Sequence, residues 1–186
     1  MLRRWILPCL AVLTLSLTSN VASAHERYYE FDGTHFALSI ERFMALDYTD
    51  FEGPGGDKAV GRFLLNGSEL VPTSIARFGF DVFIRRLSIG LAGGATTEDV
   101  GIIAPRVGYM FGLTSQLGLW LRGGGFYASV PGVNYFGLYA EALLGFFPYP
   151  NVAITFGPTL DIAFAEDPRP GYVSLGIPQV GMSFWL

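Results

Sequence analysis

The chain has 186 residues, of which 51% are hydrophobic, 15% aromatic and 15% charged, with 24 glycines and a formal net charge of −4. The charged fraction is far below the roughly 25% of an average soluble domain, yet beyond the N-terminus no run of about 20 apolar residues offers a spanning helix. An acidic chain with a single lysine, Lys58, and no basic cluster is not built for nucleic acid.

Residues Met1 to Ala24 read as a secretory signal peptide. Arg3 and Arg4 open it, Trp5 to Leu17 form the apolar stretch, and Ala22-Ser23-Ala24 supply the small-residue cleavage site. The apolar stretch is too short to span comfortably as a helix. Cleavage after Ala24 removes the only cysteine, Cys9, so no disulfide or zinc–thiolate site is expected in the mature chain, residues 25–186.

From His35 onward the hydrophobic pattern has period two, the signature of half-buried strands rather than helices. His35 to Leu46 sets Phe36, Leu38 and Ile40 against Ala37, Ser39 and Glu41. Asp47 to Thr73 reads as a long loop, with Asn66-Gly67 as a hairpin turn inside it. Ala76 to Ile84 and Leu87 to Ala95 follow, joined by Arg85-Arg86, whose task is to cap the turn or to meet lipid headgroups. Ile103 to Phe111 contains Pro105, where a bulge is expected. Leu117 to Tyr127 carries Gly123-Gly124-Gly125, small residues that let a narrow barrel close. Tyr135 to Phe147 comes next. In Val152 to Phe164 every even position is apolar and every odd one small or polar. Tyr172 to Leu186 completes eight strands, and its change of parity calls for a one-residue bulge near Pro178.

Alternation alone also fits a soluble barrel, with large apolar residues inside. Eight strands enclose a space barely wide enough for side chains, which those Phe, Leu and Ile residues would overfill. The complementary face, rich in Gly, Ala, Ser and Thr, would leave the exterior nearly uncharged. The inverted arrangement solves both problems, with apolar residues facing lipid and the small and polar face filling the lumen. The fold class read from the sequence is therefore all-β, an eight-stranded antiparallel up-and-down transmembrane β-barrel. Aromatics near strand ends (Tyr109 and Phe111; Phe126, Tyr127, Tyr135 and Phe136; Phe146, Phe147 and Tyr149) are expected to form interfacial girdles. Short connections at Arg85-Arg86, Thr114 to Gln116 and Pro148 to Asn151 belong at the periplasmic end. The connections Asp47 to Thr73, Thr96 to Gly101, Ala128 to Asn134 and Ala165 to Gly171 then face outward, and both termini face the periplasm.

The chain ends Gln179-Val180-Gly181-Met182-Ser183-Phe184-Trp185-Leu186. Gln179, Gly181, Phe184 and Leu186 resemble the terminal signal by which the barrel-assembly machinery recognises its clients, with leucine standing where an aromatic is usual. Together with the signal peptide and eight strands, the mature chain resembles the small barrel proteins typified by the transmembrane domain of outer-membrane protein A. The resemblance implies an outer-membrane location, contact with lipid and lipopolysaccharide, and the assembly machinery as a partner; a monomer is expected.

The inward face carries Glu41, Arg77, Asp81, Arg106, Arg122, Glu141 and Asp161. Desolvated charges need partners, so these residues are expected to form a structural network, with Arg122 and Glu141 paired across neighbouring strands. Catalysis is not expected. A serine hydrolase needs a histidine base near its nucleophile, whereas His25 and His35 sit at the periplasmic side and Ser68 and Glu69 in the outer loop. No cofactor or metal is expected either: Asp47, Asp50, Glu52 and Asp57 lack the spacing of a calcium loop. The leading functional expectation is a non-enzymatic envelope or surface-contact protein working through its loops, above all Asp47 to Thr73. The alternatives are a narrow, porin-like conduit for small or apolar solutes and, third, a lipid A-modifying enzyme.

Overall fold

A computed structural model describes residues 33–51, 58–63, 71–96, 99–165 and 171–186; the expected signal peptide and the Asn66-Gly67 turn lie outside them. The strands are β1 (Thr34–Phe51), β2 (Lys58–Phe63), β3 (Arg77–Ile84), β4 (Leu87–Ala95), β5 (Gly101–Gly112), β6 (Leu117–Val130), β7 (Val133–Tyr149), β8 (Val152–Ala165) and β9 (Tyr172–Trp185). Among the described residues no helix is long and apolar enough to cross a membrane. The strands run antiparallel in the order β2-β1-β3-β4-β5-β6-β7-β8-β9, and β1 also pairs with β9. That last pairing closes an eight-stranded barrel of β1 and β3 to β9.

β2 is an addition to this ring. The first half of β1, Thr34 to Glu41, pairs with β3, and its second half, Met44 to Thr49, pairs with β2. β2 therefore continues the column of β3 toward the loop end. Two expectations change as a result. The first connection does not begin at Asp47, because β1 continues to Phe51 and Asp47 faces inward, buried. Nor does the connection stay outside: Val71 to Ile75, with a short 3-10 turn at Pro72–Ser74, is buried in the barrel mouth.

Strand pleating puts alternate side chains on opposite faces, and here the large apolar ones point out. Phe78 is 68% exposed and Leu138 61%, while Arg77, Asp81 and Tyr139 between and beside them are buried. The polarity is the inverse of a soluble barrel and matches the lipid-facing reading. The aromatic girdles are only half as expected. Tyr109, Phe111, Tyr127, Phe136 and Tyr149 face out, whereas Phe126, Tyr135 and Phe147 are buried in the lumen.

The bulge near Pro178 is present: Gly157 faces Gln179 and Thr159 faces Gly176, so β9 carries one extra residue there. Pro105 needs none, because the register of β5 runs unbroken past it on both sides. Proline forfeits a ladder hydrogen bond without displacing the strand. The connection expected between Ala128 and Asn134 also shrinks. β6 and β7 run on to Val130 and Val133, leaving a two-residue turn closed by Gly132 at φ +83°, a conformation glycine adopts without a Cβ clash.

Candidate functional site: the lumenal charge chain and its cap

The lumen is filled in three layers. At the end where β1 begins and β9 ends, Phe83, Trp120, Phe147 and Trp185 pack with Met110 and Leu143. The Phe83 and Trp185 rings are 4.4 Å apart between centroids and Phe83 and Trp120 5.2 Å, within the range of favourable aromatic pairs. Trp120 hands over to the next layer: its indole N–H donates to Ser88 Oγ at 3.1 Å and its ring lies 4.4 Å from the Arg122 guanidinium carbon.

The middle layer is a chain of charges. Asp81 on β3 accepts from Arg106 Nε at 2.8 Å, and Arg106 Nη1 lies 2.7 Å from Glu41 Oε2. Glu41 Oε1 is 3.0 Å from Arg122 Nη1, and Arg122 Nε is 2.5 Å from Glu141 Oε2. Glu141 Oε1 is 2.8 Å from Arg42 Nη2, and Arg42 Nη1 is 2.7 Å from Asp161 Oδ2. Asp81, Arg106, Glu41, Arg122, Glu141, Arg42 and Asp161 thus alternate in sign from one side of the barrel to the other, every member buried. The order is imposed by Coulomb attraction in a space without bulk water, where an unpaired charge costs several kcal/mol. Inward glycines make the room: a Cβ on Gly79 would strike Arg106, Ser39 and Glu41, and one on Gly90 would strike Asp81.

The structure brings together six of the seven expected lumenal residues in this chain, including the Arg122–Glu141 pair. Arg77 stands apart. It is buried, its Nη2 donates to the Thr73 carbonyl at 2.6 Å, and it touches no carboxylate among the described residues. With it, four arginines and four carboxylates balance.

Sequence reasoning missed Arg42. Strict alternation would put it on the lipid face beside Ile40. Instead β1 holds two more residues than β9 between Ile40 and Met44, and Arg42 adopts φ +54°, so Glu41 and Arg42 both point inward. A signal was available, since an arginine facing the middle of a bilayer costs about 2–4 kcal/mol; that cost forbids the regular register.

The third layer, at the loop end, is apolar. Val100, Ile102, Phe126, Val130, Val133 and Tyr135 line it, and Val71 and Ile75 of the inturned segment fill it. Thr73 anchors that segment. Its carbonyl accepts from Arg42 Nη1 at 2.8 Å as well as from Arg77, and its hydroxyl accepts from Tyr172 Oη at 2.9 Å. Also on β9, Gln179 Nε2 donates to Asp47 Oδ1 at 2.9 Å. Of the expected terminal recognition residues, Gln179 is therefore lumenal, while Phe184 and Leu186 are exposed on the lipid face and Gly181 stands in β9 between them. Leu186 exchanges backbone hydrogen bonds with Phe36 across the β1–β9 seam.

His35 lies at the start of β1, opposite Phe83; Ser68, Glu69, Glu52 and Asp57 fall outside the described residues. Among the described residues no cluster of three His, Cys, Asp or Glu side chains is placed to hold a metal.

No protein-family model matches the chain, and no curated protein is similar to it in sequence. Among solved structures, Neisserial surface protein A aligns with a TM-score of 0.55 at 15% identity, over 82% of this chain and 99% of that one. Ail, the attachment invasion locus protein of Yersinia pestis, aligns with a TM-score of 0.47 at 14% identity, over 83% and 99% of the two chains. The N-terminal β-barrel domain of Pseudomonas aeruginosa OprF gives 0.45 at 12%, over 81% and 97%. The likeness is one of fold, and the fold is that of the small eight-stranded outer-membrane barrels.

Proposed function

We propose that this chain is an integral outer-membrane protein whose barrel is a closed anchor, and that it acts without catalysis at its outer rim. The observation that carries the reading is the filled lumen: aromatic, ionic and apolar layers follow one another, each buried. An ion or solute crossing it would have to displace paired charges that cost several kcal/mol each to separate. That weighs against the conduit alternative. It also changes the outward surface, since Val71 to Ile75 is withdrawn from it and the β1–β2 hairpin takes the place of a free loop.

On this reading the end where β1 begins and β9 ends faces the periplasm, the apolar belt meets lipid and lipopolysaccharide, and the residues around Phe184 and Leu186 engage the assembly machinery before the β1–β9 seam closes. No lipid A-modifying activity is assigned, because His35 stands at the turn end, remote from the outer leaflet. The deciding experiment is planar-bilayer conductance of refolded protein, with heat-modifiable gel migration as the proof of folding. No current steps above background are expected. Reproducible steps from heat-modifiable protein would overturn the closed-anchor reading.

A further inference from the structure

The inturned segment occupies a cup with two chemistries. The wall is apolar, formed by residues such as Ile102, Phe126, Val130 and Tyr135, while the floor offers guanidinium donors from Arg77 and from Arg42, the latter also paired with Glu141 and Asp161. The segment matches both. Val71 and Ile75 fill the apolar wall, and the Thr73 carbonyl oxygen takes hydrogen bonds from both arginines, at 2.8 and 2.6 Å. We infer that the outer half of the barrel is a binding cup for a small apolar monocarboxylate, held shut by Val71 to Ile75 acting as a built-in stand-in for that ligand.

The Arg77 side chain is buried to 1% exposure, its Nε has no hydrogen-bond partner among the described residues, and it balances the charge chain at a distance without touching one of its carboxylates. A buried guanidinium is satisfied best by a planar carboxylate, which accepts two charge-assisted hydrogen bonds and matches its fork. A neutral carbonyl shared with Arg42 is a poor substitute. The Tyr139 ring lies under both guanidiniums, 5.8 Å from Arg42 and 5.5 Å from Arg77, and its hydroxyl also lacks a partner. Two buried polar atoms without a hydrogen-bond partner thus belong to the residues that line the floor of the cup. Among the described residues the segment is tied to the barrel at one residue, Thr73, by the two arginines and Tyr172, and the turn itself is closed by Ser74 on the Val71 carbonyl. A carboxylate replacing the carbonyl, with its alkyl chain replacing Val71 and Ile75, meets the same two guanidiniums and the same apolar wall, and offers two acceptor oxygens where the segment offers one. The ionic and aromatic layers beneath are untouched, so the cup binds without becoming a conduit.

The test uses residues 25–186 refolded in a zwitterionic detergent, with hexanoate as probe and hexanamide as its uncharged counterpart, followed by calorimetry and saturation-transfer NMR. Saturable hexanoate binding is expected, with hexanamide at least about tenfold weaker, the discrimination of a charge-assisted pair. Arg77→Gln should abolish the preference for the acid. Val71→Ala/Ile75→Ala weakens the stand-in and leaves the floor intact, so it should tighten hexanoate binding several-fold, because a ligand that must first displace a closed state binds below its intrinsic affinity. Equal binding of the two probes would overturn the proposal. So would an acid preference that survives Arg77→Gln in heat-modifiable protein, or no saturable binding by the Val71/Ile75 variant. If Arg77→Gln does not fold, the amide comparison and the Val71/Ile75 variant decide. A conducting barrel would refute the closed anchor and leave these binding results unaffected.

Discussion

Glu141→Gln attacks the charge chain at a carboxylate that takes three guanidinium hydrogen bonds. Glu141 accepts from Arg42 Nη2 at 2.8 Å and Nε at 3.0 Å through one oxygen, and from Arg122 Nε at 2.5 Å through the other. Glutamine keeps the shape but replaces one of those oxygens by an NH2 group facing a guanidinium donor, and it removes the charge shared by two buried arginines. Arg42 retains Asp161 and Arg122 retains Glu41, so neither is fully stranded. Breaking a buried ion pair by removing one partner costs about 3–5 kcal/mol. With a urea dependence of about 1–3 kcal/mol per molar, the unfolding midpoint should fall by at least about 1 M. The assay is urea unfolding of barrel reconstituted in lipid vesicles, read by heat-modifiable migration and tryptophan emission together. Asp161→Asn added to Glu141→Gln leaves Arg42 no carboxylate at all, so the double variant should lose about 0.5–3 kcal/mol more than the sum of the singles. A single-variant midpoint shift below about 0.3 M, under 1 kcal/mol on the same scale, together with strict additivity, would refute the dry, mutually dependent chain and indicate a hydrated lumen.

Arg42→Gly and Arg42→Ala lose the same ion pairs, and only glycine is at ease at φ +54°; the glycine variant should unfold about 1–2 kcal/mol later in the same urea titration. Gly90→Ala drives a methyl group into the Asp81 carboxylate and to 2.5 Å from the Phe80 carbonyl oxygen, whereas Gly125→Ala meets nothing nearer than 3.6 Å. The first should lose about 1–3 kcal/mol or fail to become heat-modifiable, and the second should behave as the parent. In protein produced from residue 25 the only tryptophans are Trp120 and Trp185, both inside the barrel. Their emission should be blue-shifted and resist acrylamide, and strong acrylamide quenching would contradict the aromatic layer.

The strands were legible because period-two alternation is a local property, and seven of the eight barrel segments were found within a few residues. The inverted polarity was legible for the same reason, since Phe78, Phe80 and Val82 against Arg77, Gly79 and Asp81 already choose which face meets lipid. The bulge near Pro178 announced itself by a change of parity. The bulge at Arg42 did not, because Ile40 and Met44 keep the same parity across it, and only the cost of a lipid-facing arginine points to it. The inward turn of Phe147 was hidden behind Phe146, an equally good candidate for the belt. The inturned segment was the least legible. Val71 and Ile75 are apolar residues in a stretch that otherwise reads as loop, but which cavity receives them depends on how far β1 and β2 extend, and that is a long-range fact.

The doubled inward residues of β1 make the electrostatics hostage to closure. Glu41 joins Arg106 to Arg122, and Arg42 joins Glu141 to Asp161; without β1 the chain falls into two isolated pairs and a lone aspartate. The first strand in the sequence is also the one that must meet the last. Until it does, the arginines of β5 and β6 share no anion, and the half-made lumen stays wet. Zipping the β1–β9 seam therefore expels water and pairs the charges in a single act, which makes closing all-or-none and leaves little room for a stable, half-open barrel.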